Sequence, residues 1–250
     1  MIKTKQGLVG TLCVLIGLSL SAGTATATPL FDYFGPLNEA TFGGSGIPND
    51  EVAVARQFVD GDNVITVAMS ATQRFSNPAL GNDGAGTYLA TPGSNFGGAG
   101  ESPDEGALWN FNYFIRVEGL NGATPLLTDY QIDLFYDFDT AVDNALASLG
   151  QINVTAGLVL LDPSATLAEG SENLLFGFLG TGVPGLVTPP AGSFDANALG
   201  EYNFAIQVSR AGFSVETVAM DVQVVPEPST ALLMGLGLAG LAQRRRAFRA

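Results

Sequence analysis

The sequence predicts an all-β protein: an antiparallel β-sandwich of jelly-roll or immunoglobulin-like type with long Gly-rich loops, flanked by an N-terminal signal peptide and a short C-terminal hydrophobic helix. Three observations predict it. Apolar and polar residues alternate with period two in window after window, the spacing that puts one face of a strand on a core. The windows are separated by Gly, Asn and Asp, and the chain holds 32 glycines in 250 residues. Long stretches with helical periodicity are missing.

From the N-terminus, residues 1–27 read as a secretory signal. Lys3 and Lys5 form a basic start, 8–20 is apolar, and Ala25-Thr26-Ala27 offers small residues for cleavage by signal peptidase, with Ala25 and Ala27 as the site. Cys13, the only cysteine, lies in that apolar run, so the domain after it has no disulfide and depends on its core. Residues 28–225, roughly 200 in all, suit one large β domain.

Within it, 51–59 and 64–73 flank Asp60-Gly61-Asp62-Asn63, a hairpin signal. In 107–118, Trp109, Phe111, Tyr113, Ile115 and Val117 share one face, and Asn110, Asn112, Arg116 and Glu118 the other. Next, Tyr130, Ile132, Leu134, Tyr136 and Phe138 oppose Gln131, Asp133, Asp137 and Asp139. The stretch 141–149 is the one helix-compatible segment. Segments 151–161 and 173–179 read as further strands. Finally 201–209 and 213–225 surround Arg210-Ala211-Gly212, a tight turn. In the last of these, Val218, Met220, Val222 and Val224 alternate with Thr217, Asp221 and Gln223. Roughly seven or eight strands result, as a sandwich requires. Loops 81–104 and 184–191 are the long connections, where binding residues often sit.

Composition narrows the chemistry. The chain has no histidine, and 28–225 has neither cysteine nor lysine. His- and Cys-based catalysis, ordinary zinc and copper sites and Schiff-base chemistry are thereby excluded from the domain. Its only cations are Arg56, Arg74, Arg116 and Arg210, against 23 carboxylates, a formal charge of −19. Such a surface repels nucleic acid, which is not an expected partner.

The densest carboxylate group is Asp133, Asp137, Asp139 and Asp143. Calcium takes oxygen ligands of this kind, which makes it the one candidate metal. The spacing is not that of an EF-hand loop. Parity gives the plainer reading, with Asp133, Asp137 and Asp139 on the solvent face of one strand. Trp109 falls on an apolar face and is expected in the core. Tyr88 and Phe96, inside the long loop, are the aromatics expected to be exposed and able to stack on sugar rings.

The last 25 residues carry the sharpest signal. Pro226, Glu227 and Pro228 form a Pro-Glu-Pro triplet that can enter neither a helix nor a central strand. Residues 231–242 are all Ala, Leu, Met or Gly, a helix-compatible stretch capped by Ser229 or Thr230. A helix over 229–243 is about 22 Å long, short for a span unless the membrane thins or flanking side chains snorkel. Arg244, Arg245, Arg246 and Arg249 close the chain and favour a cytoplasmic end.

Triplet, apolar stretch and basic end in this order resemble the PEP-CTERM sorting signal of Gram-negative bacteria. The resemblance implies cleavage near the triplet by an exosortase. It also implies export, transient anchoring in the inner membrane, and a final place in the cell envelope or an extracellular exopolysaccharide (biofilm) matrix. Segments such as FDYFGPLNEATFGGSGIPND and LWNFNYFI resemble a group of β-rich PEP-CTERM proteins over most of 31–140, which brings no activity or functional residue with it.

The function expected is therefore a non-enzymatic, sorted envelope or matrix protein with a structural or interaction domain. A carbohydrate- or calcium-binding module is the alternative. A carboxylate glycosidase is a third reading, which needs two carboxyl groups roughly 5–9.5 Å apart in a cleft.

Overall fold

A computed structural model of the chain describes residues 28–49, 53–75, 78–95, 106–226 and 236. The signal segment with Ala25 and Ala27, Glu227 and Pro228, the 231–242 stretch apart from Leu236, the four terminal arginines, and Phe96 lie outside the described residues.

In chain order the strands begin with β1 (Tyr33–Gly35), β2 (Ala53–Asp60), β3 (Asn63–Gln73), β4 (Gly81–Asn82), β5 (Thr87–Ala90), β6 (Ser94–Asn95) and β7 (Gly106–Ala107). Then come β8 (Trp109–Gly119), β9 (Gln131–Tyr136), β10 (Gly150–Asn153), β11 (Leu167–Glu172), β12 (Val187–Thr188), β13 (Gly200–Arg210) and β14 (Phe213–Val224). Two helices interrupt them, α1 (Val154–Leu161) and α2 (Gly177–Thr181). One sheet runs β1-β2-β3-β8-β11, and another runs β12-β10-β9-β13-β14-β5-β4.

Both hairpins expected from turn chemistry are present. β2 and β3 pair antiparallel up to Asp60↔Asn63 around Gly61-Asp62, and Gly61 takes φ 61°, a left-handed conformation open to glycine without strain. β13 and β14 pair from Gly200↔Val224 to Arg210↔Phe213 around Ala211-Gly212. The antiparallel expectation is corrected at one place. β5 lies parallel to β14, with Asp221↔Thr87 and Val224↔Ala90 in register, so the larger sheet is mixed. Parallel neighbours need a long connection, and the intervening chain from β5 to β14 supplies it.

The inward faces of the two large sheets enter one apolar cluster. Phe111 of β8 meets Phe204 of β13 with ring centroids 4.7 Å apart. Trp109 is 1% exposed and contacts Tyr202 and Phe204, which fulfils its expected core role. Each such side chain contributes about 1.5–3 kcal/mol by leaving water. A second cluster lies on the outer face of the five-stranded sheet. There Leu37, Ala40 and Phe42 cover Ala55, Ala68 and Phe114. Glu169 on β11 pins the covering segment, accepting from the amides of Thr41 and Phe42 at 2.8 Å each and from the Thr41 hydroxyl at 2.5 Å. Hence Phe114, on the face read as polar, is buried. Asn112 on the same face is buried too, donating to the Ser70 and Thr72 hydroxyls at 3.0 and 3.3 Å.

Three local expectations are corrected. Residues 151–161 do not form one strand: β10 ends at Asn153, whose side chain accepts from the Ala156 amide at 2.9 Å and starts α1. An apolar run of that length has no periodicity to choose strand over helix, and the cap decides. Residues 173–179 form a turn leading into α2, and the neighbouring strand is β11 instead. The helix-compatible stretch 141–149 holds only a 3₁₀ turn at Leu146–Ser148. Its backbone is drawn elsewhere by Asn144, which donates to the Asp137 carboxylate at 2.7 Å and to the carbonyls of Asp139 and Ala141 at 3.1 Å. No helix among the described residues is long and apolar enough to cross a membrane.

Candidate functional site

The four aspartates singled out by the sequence do not meet. β9 stops at Tyr136, so strand alternation no longer governs residues 137–143. Asp133 stays on the strand and accepts from Gln131 at 2.8 Å. Asp137 is 2% exposed, which corrects its expected solvent position. It accepts from the Asp139 amide at 2.8 Å and from Asn144. Asp139 takes the Ala141 amide at 3.0 Å, and Asp143 sits at φ 55° with its amide on Glu201. Among the described residues no three His, Cys, Asp or Glu side chains come together as a metal-holding group.

A different polar group replaces them. Asn203 of β13 donates to Asp221 of β14 at 2.9 Å and accepts from the Asn144 amide at 2.8 Å. Both side chains are buried, although alternation set Asp221 opposite the apolar face of its strand. Burial raises the Asp221 carboxyl to about 7, with Glu201, Asp143 and Asp83 adding to the rise. Burial also raises Asp137, against several hydrogen bonds that oppose it. This network holds the 137–144 loop on the sheet.

Among the described residues, two depressions stand out. The first, about 300 Å³, is lined mainly by Tyr113, Ile152, Leu158, Leu161, Phe178 and Leu186, at the edge where β10, β11 and both helices converge. Around it α1 exposes Val159, Leu160 and Leu161 by 56%, 70% and 88%. Burial lifts the Tyr113 hydroxyl to about 12, helped by Glu172 and Glu169, and burial lifts Glu172 to about 7.

The second depression, about 400 Å³, opens beside β1 and β2. Its floor is Leu37 and Ala55, both buried, and its rim carries Tyr33, Asp32, Arg56 and Gln57. Tyr33 is 50% exposed, whereas Tyr88, the aromatic expected at the surface, is fully buried in the core. Tyr88 moves inward because β5 joins the larger sheet beside β14, where its ring contacts Phe34. Alternation could have flagged Tyr33 only if β1 had been recognised, and three residues carry no period.

At the C-terminal end, β14 delivers the chain out of the core. Val225 donates to Ala90 at 2.9 Å, and exposed Pro226 comes next. Proline has no N–H to continue the ladder. The sorting triplet thus begins two residues beyond the last core strand.

Residues 224–246 match the family described as the PEP-CTERM protein-sorting motif. The chain carries that sorting signal, as the order of its C-terminal parts indicated. Comparison with curated proteins and with solved structures returned no match.

Proposed function

We propose that this PEP-CTERM sorting-signal protein is exported, processed by signal peptidase and an exosortase, and retained in the envelope or an exopolysaccharide matrix through a non-catalytic β-sandwich. The observation that carries the proposal is the sorting motif over 224–246, set directly after a core strand and led by exposed Pro226. Two large sheets sharing one apolar cluster support the sandwich reading.

The non-catalytic reading rests on side chains. The domain lacks His, Cys and Lys. Among the described residues, the two carboxyls raised to about 7, Asp221 and Glu172, belong to different sheets, on β14 and β11. A glycosidase needs its pair flanking one bond. Before processing, the 231–242 stretch and its terminal arginines would hold the chain at the inner membrane.

Intact mass of the secreted protein from its native host tests this. The expected species begins at Thr28 and ends near Pro226 or Pro228. A species still ending at Ala250 would overturn processing and leave the tail a plain anchor.

A further inference from the structure

We propose that the cleft beside β1 and β2 is a binding site for an uncharged saccharide, with Tyr33 as its stacking platform. This inference stands on the cleft alone and does not depend on how the tail is processed.

The platform is built by sequence. Tyr33 and Gly35 point to the same side of β1, two residues apart. A Cβ placed on Gly35 would lie 2.5 Å from the Tyr33 hydroxyl and 2.8 Å from Cζ. The ring therefore lies back along the strand, in space that only glycine leaves free. β1 is an edge strand paired to β2 alone, with Tyr33 opposite Ala55. The ring is half exposed, while Leu37 and Ala55 close the floor beneath the cleft. An aromatic face held beside an apolar floor suits the C–H face of a sugar ring, which offers no charge and little width.

The rim supplies hydrogen bonding without mobility. Gln57 donates through its amide to the Thr66 hydroxyl at 3.2 Å, which fixes the side chain and leaves its carbonyl oxygen to accept. Arg56 is held on three sides, by Asp32 at 3.2 Å, by Glu216 at 3.6 Å and by the Thr217 carbonyl at 3.3 Å. Its charge is thereby neutralised by the protein's own carboxylates, so it does not select an anion. The Asp32 side chain is 59% exposed and keeps acceptor capacity toward the cleft. Sugar hydroxyls both donate and accept, and a rim of amide and carboxylate oxygens around an apolar platform matches them. The volume, about 400 Å³, falls within the roughly 300–1,000 Å³ of small-ligand sites.

Charge selects within the class. A domain of −19 repels polyuronates and sulfated glycans at long range. The ligand is accordingly a neutral glycan rather than an acidic one.

Isothermal titration of the full chain with cellohexaose and with maltohexaose, beside an oligoguluronate as anionic control, tests the site. At least one neutral hexasaccharide should bind and the oligoguluronate should not. Tyr33→Ala should weaken binding by roughly tenfold, Tyr33→Phe should retain it, and Leu160→Ser on the distant α1 should leave it unchanged. Thermal unfolding of each variant checks its fold. If Tyr33→Ala unfolds, Gln57→Ala at an exposed position carries the same expectation of weakened binding. Failure of both neutral hexasaccharides to bind, preference for the oligoguluronate, or wild-type affinity in the variants overturns the proposal.

Discussion

Asn203 and Asp221 face each other across β13 and β14, and the Asn203 amide donates to the Asp221 carboxylate at 2.9 Å with both side chains buried. The folded carboxyl is raised to about 7, chiefly by burial. An unfolded aspartate titrates near 3.9. Between about pH 4 and 7 the folded state therefore holds the proton more tightly. This group's stabilisation is present below about pH 4 and is lost as pH rises through 7. Glu172, raised to about 7, acts in the same direction, as does Asp137. Asp221→Asn should raise Tm at pH 7.5, flatten its pH dependence, and converge on the wild type near pH 4. Differential scanning calorimetry across that range checks it. A lower Tm at pH 7.5 would contradict the sign.

Asn173 is fully buried and ties the turn before α2 to β7 and β8. It donates to the carbonyls of Ala107 at 3.0 Å and Trp109 at 2.9 Å and to the Asn110 side chain at 2.7 Å. It accepts from the amides of Ala107 at 2.9 Å and Leu175 at 3.1 Å. Asn173→Ala leaves several of these groups buried and unpaired, each at about 1–3 kcal/mol. The variant should be among the most destabilised single substitutions. Urea unfolding, with a midpoint shifted far below that of a surface control such as Val142→Ala, is the measure.

Asn153→Ala should cost about 0.5–2 kcal/mol by removing the cap of α1. The helix should fray without loss of the sheets, because Thr155 still ties its first turn to β9 by accepting from the Ile132 amide and donating to the Tyr130 carbonyl, both at 2.8 Å. Hydrogen exchange should report faster exchange in 156–161 and unchanged rates in β13 and β14. Equal acceleration in the sheets would argue against a local cap.

Glu227→Ala should leave folding unchanged, since Glu227 comes after exposed Pro226, beyond the last core strand. It should instead impair removal of the tail if an exosortase reads the triplet. Intact mass of the secreted fraction distinguishes the outcomes: wild-type processing of the variant would show that Glu227 is not read.

The features legible in the sequence had local causes. The hairpins at Gly61-Asp62 and Ala211-Gly212 arise from turn residues that tolerate the required backbone angles. The inward faces of β8, β9 and β14 arise from alternation, and Trp109 lies where parity put it. The features that escaped it depended on partners distant in the chain. The VTAGLVLL run has no period, so Asn153 and the packing on β9 decide that it is helical. The outer faces of β8, β13 and β14 hold buried residues whose covers are distant in the chain: Phe114 lies under 37–42, and Asn203 and Asp221 become intelligible only when the 137–144 loop is seen bonded to Asn203. Tyr33 belongs to the same category: a three-residue edge strand has no pattern, and its exposure results from β1 having one neighbour.

The sequence by itself determined that the domain is β-rich, acidic and without His, Cys or Lys, and that its C-terminus carries a PEP-CTERM sorting signal. Composition, turn chemistry and contiguous motifs are properties of neighbouring residues, and they survive without coordinates. Only the tertiary structure decided that β5 runs parallel to β14, that the four aspartates separate, and that Tyr33 rather than Tyr88 reaches the surface. Each of those depends on which strands become neighbours, and a strand's own residues specify its faces but not what is laid against them.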